Sequence, residues 1–155
     1  MKKCSIALAL GLLLTSGCIP APDTSDTPEG GSPIPASIVE PYLKIQTALF
    51  HDSMDGVKAN AGNIATAATP LGSPAFKIGT TAAELTAAVE LPDARDTFGR
   101  LSDAIVTYMN GLQLLPPDGV QVAVCETTHK QWLQEGSAIS NPYDGASAPS
   151  CGVFR

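Results

Sequence analysis

The stretch from Cys125 to Cys151 sets the tightest limits on how this chain can fold. It reads CETTHKQWLQEGSAISNPYDGASAPSC and carries one of the two histidines and the only tryptophan. Asn141-Pro142 and Asp144-Gly145 are turn pairs that fold it back on itself. Irregular stretches this long are uncommon inside compact domains and usually have a job. Two chemistries fit the residues. The ends can close as a disulfide, or the two thiols can take a soft ligand.

The reason to single out these two cysteines lies at the other end of the chain. Lys2 and Lys3 precede a short apolar run, Ile6 to Leu14, and then Thr15-Ser16-Gly17 leads to Cys18. A positive start, a short apolar run and small residues are the layout of an export signal. The run is too short to span a bilayer. Small residues followed at once by cysteine resemble the lipobox of bacterial lipoproteins, which implies cleavage after residue 17 and lipidation of Cys18. The expected organisation is a signal over 1–17, a disordered tether over 18–36, a helical bundle over 37–119, and a cysteine-closed tail over 120–155 packed on that bundle. Cys4 is lost with the signal and Cys18 is used by lipid. Cys125 and Cys151 then remain as an even pair in an oxidising compartment.

Removing the signal takes two of nine basic residues and none of fifteen acidic ones, so the formal charge of −6 becomes −8. Nucleic acid is a poor partner for such a chain, because phosphate neutralisation needs a basic patch. Membrane attachment is expected through the N-terminal lipid rather than a polybasic surface. Ile19 stands where aspartate would resemble an inner-membrane retention signal, which favours a periplasm-facing outer-membrane location. The tether, IPAPDTSDTPEGGSPIP, is too polar and proline-rich to offset its ordering entropy.

The periodicity that follows is helical. Ile38, Tyr42, Ile45 and Leu49 share one face, with Ser37 and Glu40 spaced as a capping box and Pro41 taken as part of the first turn. Asp52 or Ser53 is placed to cap a second helix, Met54–Ala68, with a narrow stripe of Val57, Ala61, Ile64 and Ala68. Thr69–Gly79 reads as a loop. Thr81 and Glu84 form a second capping box for a third helix, with Leu85, Ala88 and Val89 inward. The fourth helix, Ala94–Leu114, is the best amphipath: Phe98, Leu101, Ile105, Met109 and Leu112 inward, and Arg95, Asp96, Arg100 and Asp103 outward. Pro116-Pro117-Asp118-Gly119 ends it, and Val120–Val124 alternates as a short extended segment. The expected fold class is therefore mainly α: a four-helix antiparallel bundle with an irregular, cysteine-closed C-terminal loop.

YLKIQTALFHD in the first helix, TFGRLSDAIVTYM in the fourth, and the tail pattern C-(x)-WLQ-(x)-I-(x)-NPYDG-(x)-CG together resemble domain-of-unknown-function family 3347. The resemblance covers about Ile38 to Gly152. Its most specific part is Trp132-Leu133, Asn141-Pro142-Tyr143, Gly145 and Cys151-Gly152. That module accompanies periplasmic adaptors of heavy-metal efflux pumps. The resemblance thus implies metal-efflux components as partners and a soft site for Cu(I) or Ag(I), with thiolates from Cys125 and Cys151. The family pattern adds two methionines. Here Glu126-Thr127 and Ala148-Pro149 occupy their places, which leaves His129 as the local substitute ligand.

Each of these residues has a plainer role beside the sharper one. Cys125 and Cys151 as a disulfide would close a loop of about 27 residues, worth about 3.5 kcal/mol in the chain-entropy model. On that reading no cofactor is required and His129 is solvated. Trp132, Leu133, Asn141, Pro142, Tyr143 and Gly145 would pin the tail to the helices. Catalysis is not indicated. His51-Asp52-Ser53 has the letters of a triad, but neighbours in sequence do not converge on one substrate atom. Phosphate-loop and zinc motifs are absent from the sequence.

Overall fold

A computed structural model describes residues 31–145 and 151–155. Four α-helices, α1 (Ala36–Phe50), α2 (Val57–Ala68), α3 (Phe76–Leu85) and α4 (Leu91–Leu112), precede three strands, β1 (Val120–Val124), β2 (Gln131–Glu135) and β3 (Val153–Phe154). The expected signal over 1–17, the lipidation site Cys18 and most of the tether lie outside the described residues.

The mainly helical character holds, and the core residues fall where the periodicity put them. Ile38, Tyr42, Ile45 and Leu49 are buried along α1, Val57, Ala61, Ile64 and Ala68 along α2, and Phe98, Leu101, Ile105 and Met109 along α4. Helices α1 to α4 pack each on the next in sequence. Helices α1 and α4 touch only sparsely, and β2 packs against both. The sheet therefore shares the core with the helices, where the sequence reading has helices alone with an irregular tail laid over them. Both β2 and β3 are corrections to that reading. β1 is central, antiparallel to β2 on one side and to β3 on the other, with Ala123 facing Trp132 and Val122 facing Leu133. In β2, Trp132, Leu133 and Gln134 are all buried, so this strand has none of the alternation that reveals a strand from sequence.

The helix starts differ from the capping signals for tertiary reasons. Helix α1 starts at Ala36, with the Pro35 carbonyl accepting from Ile38 and Val39 amides; Ser37 makes no cap and Pro41 falls in the second turn. Pro41 leaves the Ser37 carbonyl without its helical partner, and Ser37 is exposed to water. Helix α2 starts at Val57 behind Gly56, while Ser53 accepts from the Asp55 amide in the preceding turn. Two short 3-10 turns, Thr69–Leu71 and Ser73–Ala75, lead into α3, so residues 76–79 are helical rather than loop. Gly79 faces Ala68, where a Cβ would sit 3.4 Å from the alanine methyl, an ordinary packing distance between α3 and α2. Thr81 is consequently mid-helix and buried, and Glu84 pairs with Arg100 instead of capping. Leu85 is buried as expected, but Val89 lies past the helix end and is 82% exposed. Helix α4 begins at Leu91 with Pro92 in its first turn, where a missing amide hydrogen costs little. Leu112, at its other end, is 47% exposed rather than inward.

The tether also ends earlier than residue 36. Ile34 is buried, its amide donates to the Leu115 carbonyl at 3.0 Å, and the Leu115 amide donates to the Ser32 carbonyl at 3.1 Å. One large aliphatic side chain with core to cover it is enough to fix this stretch, and composition averaged over the segment hides it. Ile34→Ala should lower the unfolding free energy by about 2–4 kcal/mol, the cost of a large-to-small change at a buried site. Urea denaturation monitored through Trp132 fluorescence measures this.

Candidate functional site

The tail is built around the β1–β2 hairpin. The Cys125 amide donates to the Lys130 carbonyl at 2.9 Å, and the His129 amide donates to the Cys125 carbonyl at 2.8 Å. His129 takes a left-handed conformation to close this turn, and its side chain is exposed. Cys125, fully buried at the end of β1, forms a disulfide with half-buried Cys151, with the two Cα atoms 5.3 Å apart. Of the two chemistries open to this pair, the staple is the one formed. Each sulfur is bonded to the other, so thiolate ligation belongs to the reduced chain. Among the described residues no group of three or more histidine, cysteine or acidic side chains is gathered as a metal site. Ala148 and Pro149 lie outside the described residues.

The other residues singled out in the tail turn inward, and each has a partner. Trp132 is completely buried; its indole donates to Gln134 Oε1 at 2.8 Å and meets Tyr143 edge-on. Leu133 is buried beside it. Asn141, also fully buried, accepts from the Tyr143 amide at 2.9 Å and donates to the Cys151 carbonyl at 3.2 Å. Its side chain thus imitates backbone and holds the turn to the disulfide. The Pro142 carbonyl accepts from Arg95 Nε at 2.8 Å. Tyr143 lies 6.1 Å from the Phe98 ring, centroid to centroid, and Lys130 sits over its face.

Two tyrosine hydroxyls satisfy the outer edge of β2. The Leu133 amide donates to Tyr42 Oη at 3.2 Å, and Tyr143 Oη donates to the Gln131 carbonyl at 2.5 Å. An edge strand left open offers unpaired backbone groups to other chains, and here the core covers them. Tyr42 in turn is 2.6 Å from Ser102 Oγ, which donates to the Phe98 carbonyl at 2.9 Å. The serine has one proton to give, so Tyr42 is the donor between the two hydroxyls. A buried relay results, running from Leu133 N–H through Tyr42 and Ser102 to Phe98. Burial pushes the ionisation of both tyrosines well above the ordinary value of 10.0, because a phenolate would have to form away from water.

The last turn of the tail is locked by Arg95. It lies mostly inside, with a side-chain exposure of 16%, which corrects the outward placement expected from the α4 pattern. Besides Pro142, it donates to the Leu49 carbonyl at 2.8 Å and to Asp52 at 2.5 Å. One guanidinium thereby ties the C-terminal end of α1, the start of α4 and the tail. Gly145 has positive φ, and a Cβ there would collide with both Asp52 and Arg95. Asp52 is committed to this contact rather than to a cap or to its neighbours His51 and Ser53.

Sequence reasoning missed Gln134, Gln46, Ser102 and the inward role of Arg95. Gln134 is buried, accepts from Trp132 and from the Ser140 amide, and donates to the Ala138 carbonyl at 2.6 Å. Gln46 donates to the Ser140 carbonyl at 2.7 Å. One signal was available: Gln46 falls on the apolar side of α1, next to Ile45 and one turn from Tyr42 and Leu49. Nothing in the local sequence marks Gln134, because its partners are set by how residues 138–140 return to β2.

The two tyrosines give the protein a defined alkaline limit. Below about pH 10 both are neutral in folded and unfolded chains, and their contribution is complete. Above it the unfolded tyrosines lose protons that the folded ones keep, so stability falls with rising pH by up to about 1.4 kcal/mol per pH unit for each. Tyr42→Phe should cost about 1–3 kcal/mol at pH 7 by stranding the Leu133 amide. It should also roughly halve the alkaline slope. Urea titrations between about pH 8 and 11 test both, and an unchanged slope would remove Tyr42 from this account.

Comparison with protein-family models, with curated proteins and with solved structures returns no match for this chain.

Proposed function

We propose that this is an exported, lipid-anchored envelope protein whose folded domain is a non-catalytic structural or interaction module. The observation that carries the proposal is the Cys125–Cys151 disulfide, around which Trp132, Leu133, Asn141, Pro142, Tyr143 and Gly145 are consumed in packing and hydrogen bonds. A disulfide of this kind belongs to an oxidising compartment, in keeping with the export signal and lipidated Cys18 read from the sequence. Residues spent on holding a tail to a core have little left to offer a substrate. Among the described residues no helix is long and apolar enough to cross a membrane, so attachment on this reading comes from the lipid.

A second reading keeps the resemblance to the efflux-associated module. In it, reduction frees Cys125 and Cys151 as thiolates for Cu(I) or Ag(I). The observation in its favour is that His129 is tied by its own amide to the Cys125 carbonyl, one tight turn away.

One experiment series separates the readings. Peptide mass spectrometry of protein from the membrane fraction should find an acylated N-terminal Cys18, and Cys18→Ala should release the protein from that fraction. Thiol titration of the native protein should find Cys125 and Cys151 unreactive. After reduction, Cu(I) competition against a chelator should show no uptake that Cys151→Ala removes. Stoichiometric uptake lost in that variant would favour the metal reading. Reactive thiols in the native protein would sink the structural one.

A further inference from the structure

The described chain begins at one end of the helical layer, and that end exposes several large apolar side chains. Helices α1 to α4 alternate in direction. Midway along α4, Arg100 pairs with Glu84 at the end of α3. Towards its close, Thr107, Tyr108, Gly111 and Leu112 face Pro74 and Lys77 across an open groove of about 600 Å³. The α2–α3 connection, the α4–β1 connection and the entry of the chain at residues 31–34 therefore share one end. Gly31 packs on the Gln113 carbonyl, with Leu115 adjacent. Of five large hydrophobic residues left exposed among the described residues, three belong to this end: Phe76 at 70%, Leu112 at 47% and Leu115 at 48%. Val89, at 82%, lies in the α3–α4 connection at the opposite end.

We infer that this end, carrying Phe76, Leu112 and Leu115, is a docking surface that rests on a phospholipid bilayer. The inference builds on the lipidated Cys18 of the proposed function, and the position where the chain enters the fold is what selects the occupant. Twelve residues separate Cys18 from Gly31, and the thirteen steps between their Cα atoms cap the distance between anchor and domain at about 45 Å. A domain tethered that closely meets the bilayer at high effective concentration, so side chains that would bind weakly from solution are sufficient. Phe76 and the two leucines suit the boundary between headgroups and acyl chains. Lys77, at the rim of the groove, makes no salt bridge among the described residues and matches a headgroup phosphate. Arg100 is held by Glu84 and Asp96, and Asp103 accepts from Gln131. The chain as a whole is acidic, with Asp118 in the α4–β1 connection, so an anionic membrane would repel it. The contact is therefore apolar in origin, and the surface it fits is a zwitterionic one.

The mature chain from Cys18, coupled at that thiol to a maleimide phospholipid with the disulfide intact, provides the test. Its amide hydrogen exchange is compared in detergent-free solution before coupling and on vesicles of phosphatidylethanolamine and phosphatidylcholine. Exchange should slow by about threefold or more across residues 75–78 and 111–115 and stay unchanged across 86–90. Phe76→Asp and Leu115→Asp, each at an exposed position, should each reduce that protection while keeping the parent melting temperature. Raised salt should leave it intact. Equal exchange with and without vesicles would overturn the inference, as would protection at 86–90 instead. Because coupling supplies the anchor, failure here is distinct from failure to find acylated Cys18 in cell-derived protein, which would refute the proposed anchoring alone.

Discussion

The buried hydroxyl of Tyr42 is the contact on which the rest of the structure depends. It stands where α1, α4 and β2 meet, stacked on Phe98 with ring centroids 4.8 Å apart and bonded to Ser102 and the Leu133 amide. A hydroxyl in that position is costly unless both its proton and its lone pairs are used, and here they are. The relay is complete only when helix and strand are both in place. That makes it a coupling element as much as a stabilising one: α1 and α4 touch sparsely by themselves and are joined through the strand that Tyr42 holds.

The tail follows the same logic of borrowed partners. Trp132 donates to Gln134, which also accepts from the Ser140 amide, and Asn141 joins the Tyr143 amide to the Cys151 carbonyl; buried polar groups are favourable only when satisfied in this way. Arg95 closes the far end of that cluster through Pro142. The disulfide makes the arrangement robust by restricting the unfolded chain, a contribution that a domain with few aromatic residues can use. On the proposed reading the tail serves as a scaffold, and the apolar end beside the chain entry is the surface proposed for contact with other molecules.

Much of this was readable in the residues, and the parts that were not share a cause. The faces of α1, α2 and α4 were legible because burial there repeats at the helical period. The cysteine pair was legible as well, since two thiols in a domain read from its sequence as exported have few uses. Helix starts were misplaced wherever a capping pattern competed with packing: Thr81 and Glu84 have the spacing of a cap, but the helix already begins at Phe76 and Thr81 is buried within it. β2 was missed because a strand covered on both faces shows no alternation, and Gln134, the polar residue buried within it, resembles a surface residue in the sequence.

By itself the sequence determined the helical faces, the turn pairs of the tail and the residues available for a staple, because periodicity, turn chemistry and cysteine count are local properties. Only the tertiary structure decided what those residues face. It turned Arg95 inward, drew Ile34 out of the tether into the core and gave the edge of β2 to two tyrosines. Each of these outcomes depends on a partner distant in the chain, and burial of a polar group is decided by whether such a partner arrives. The segment from Cys125 to Cys151 began as a choice between ligand and lock. Its resting form in the folded chain is a lock, with the core supplying partners for Trp132, Gln134, Asn141 and Tyr143 around it.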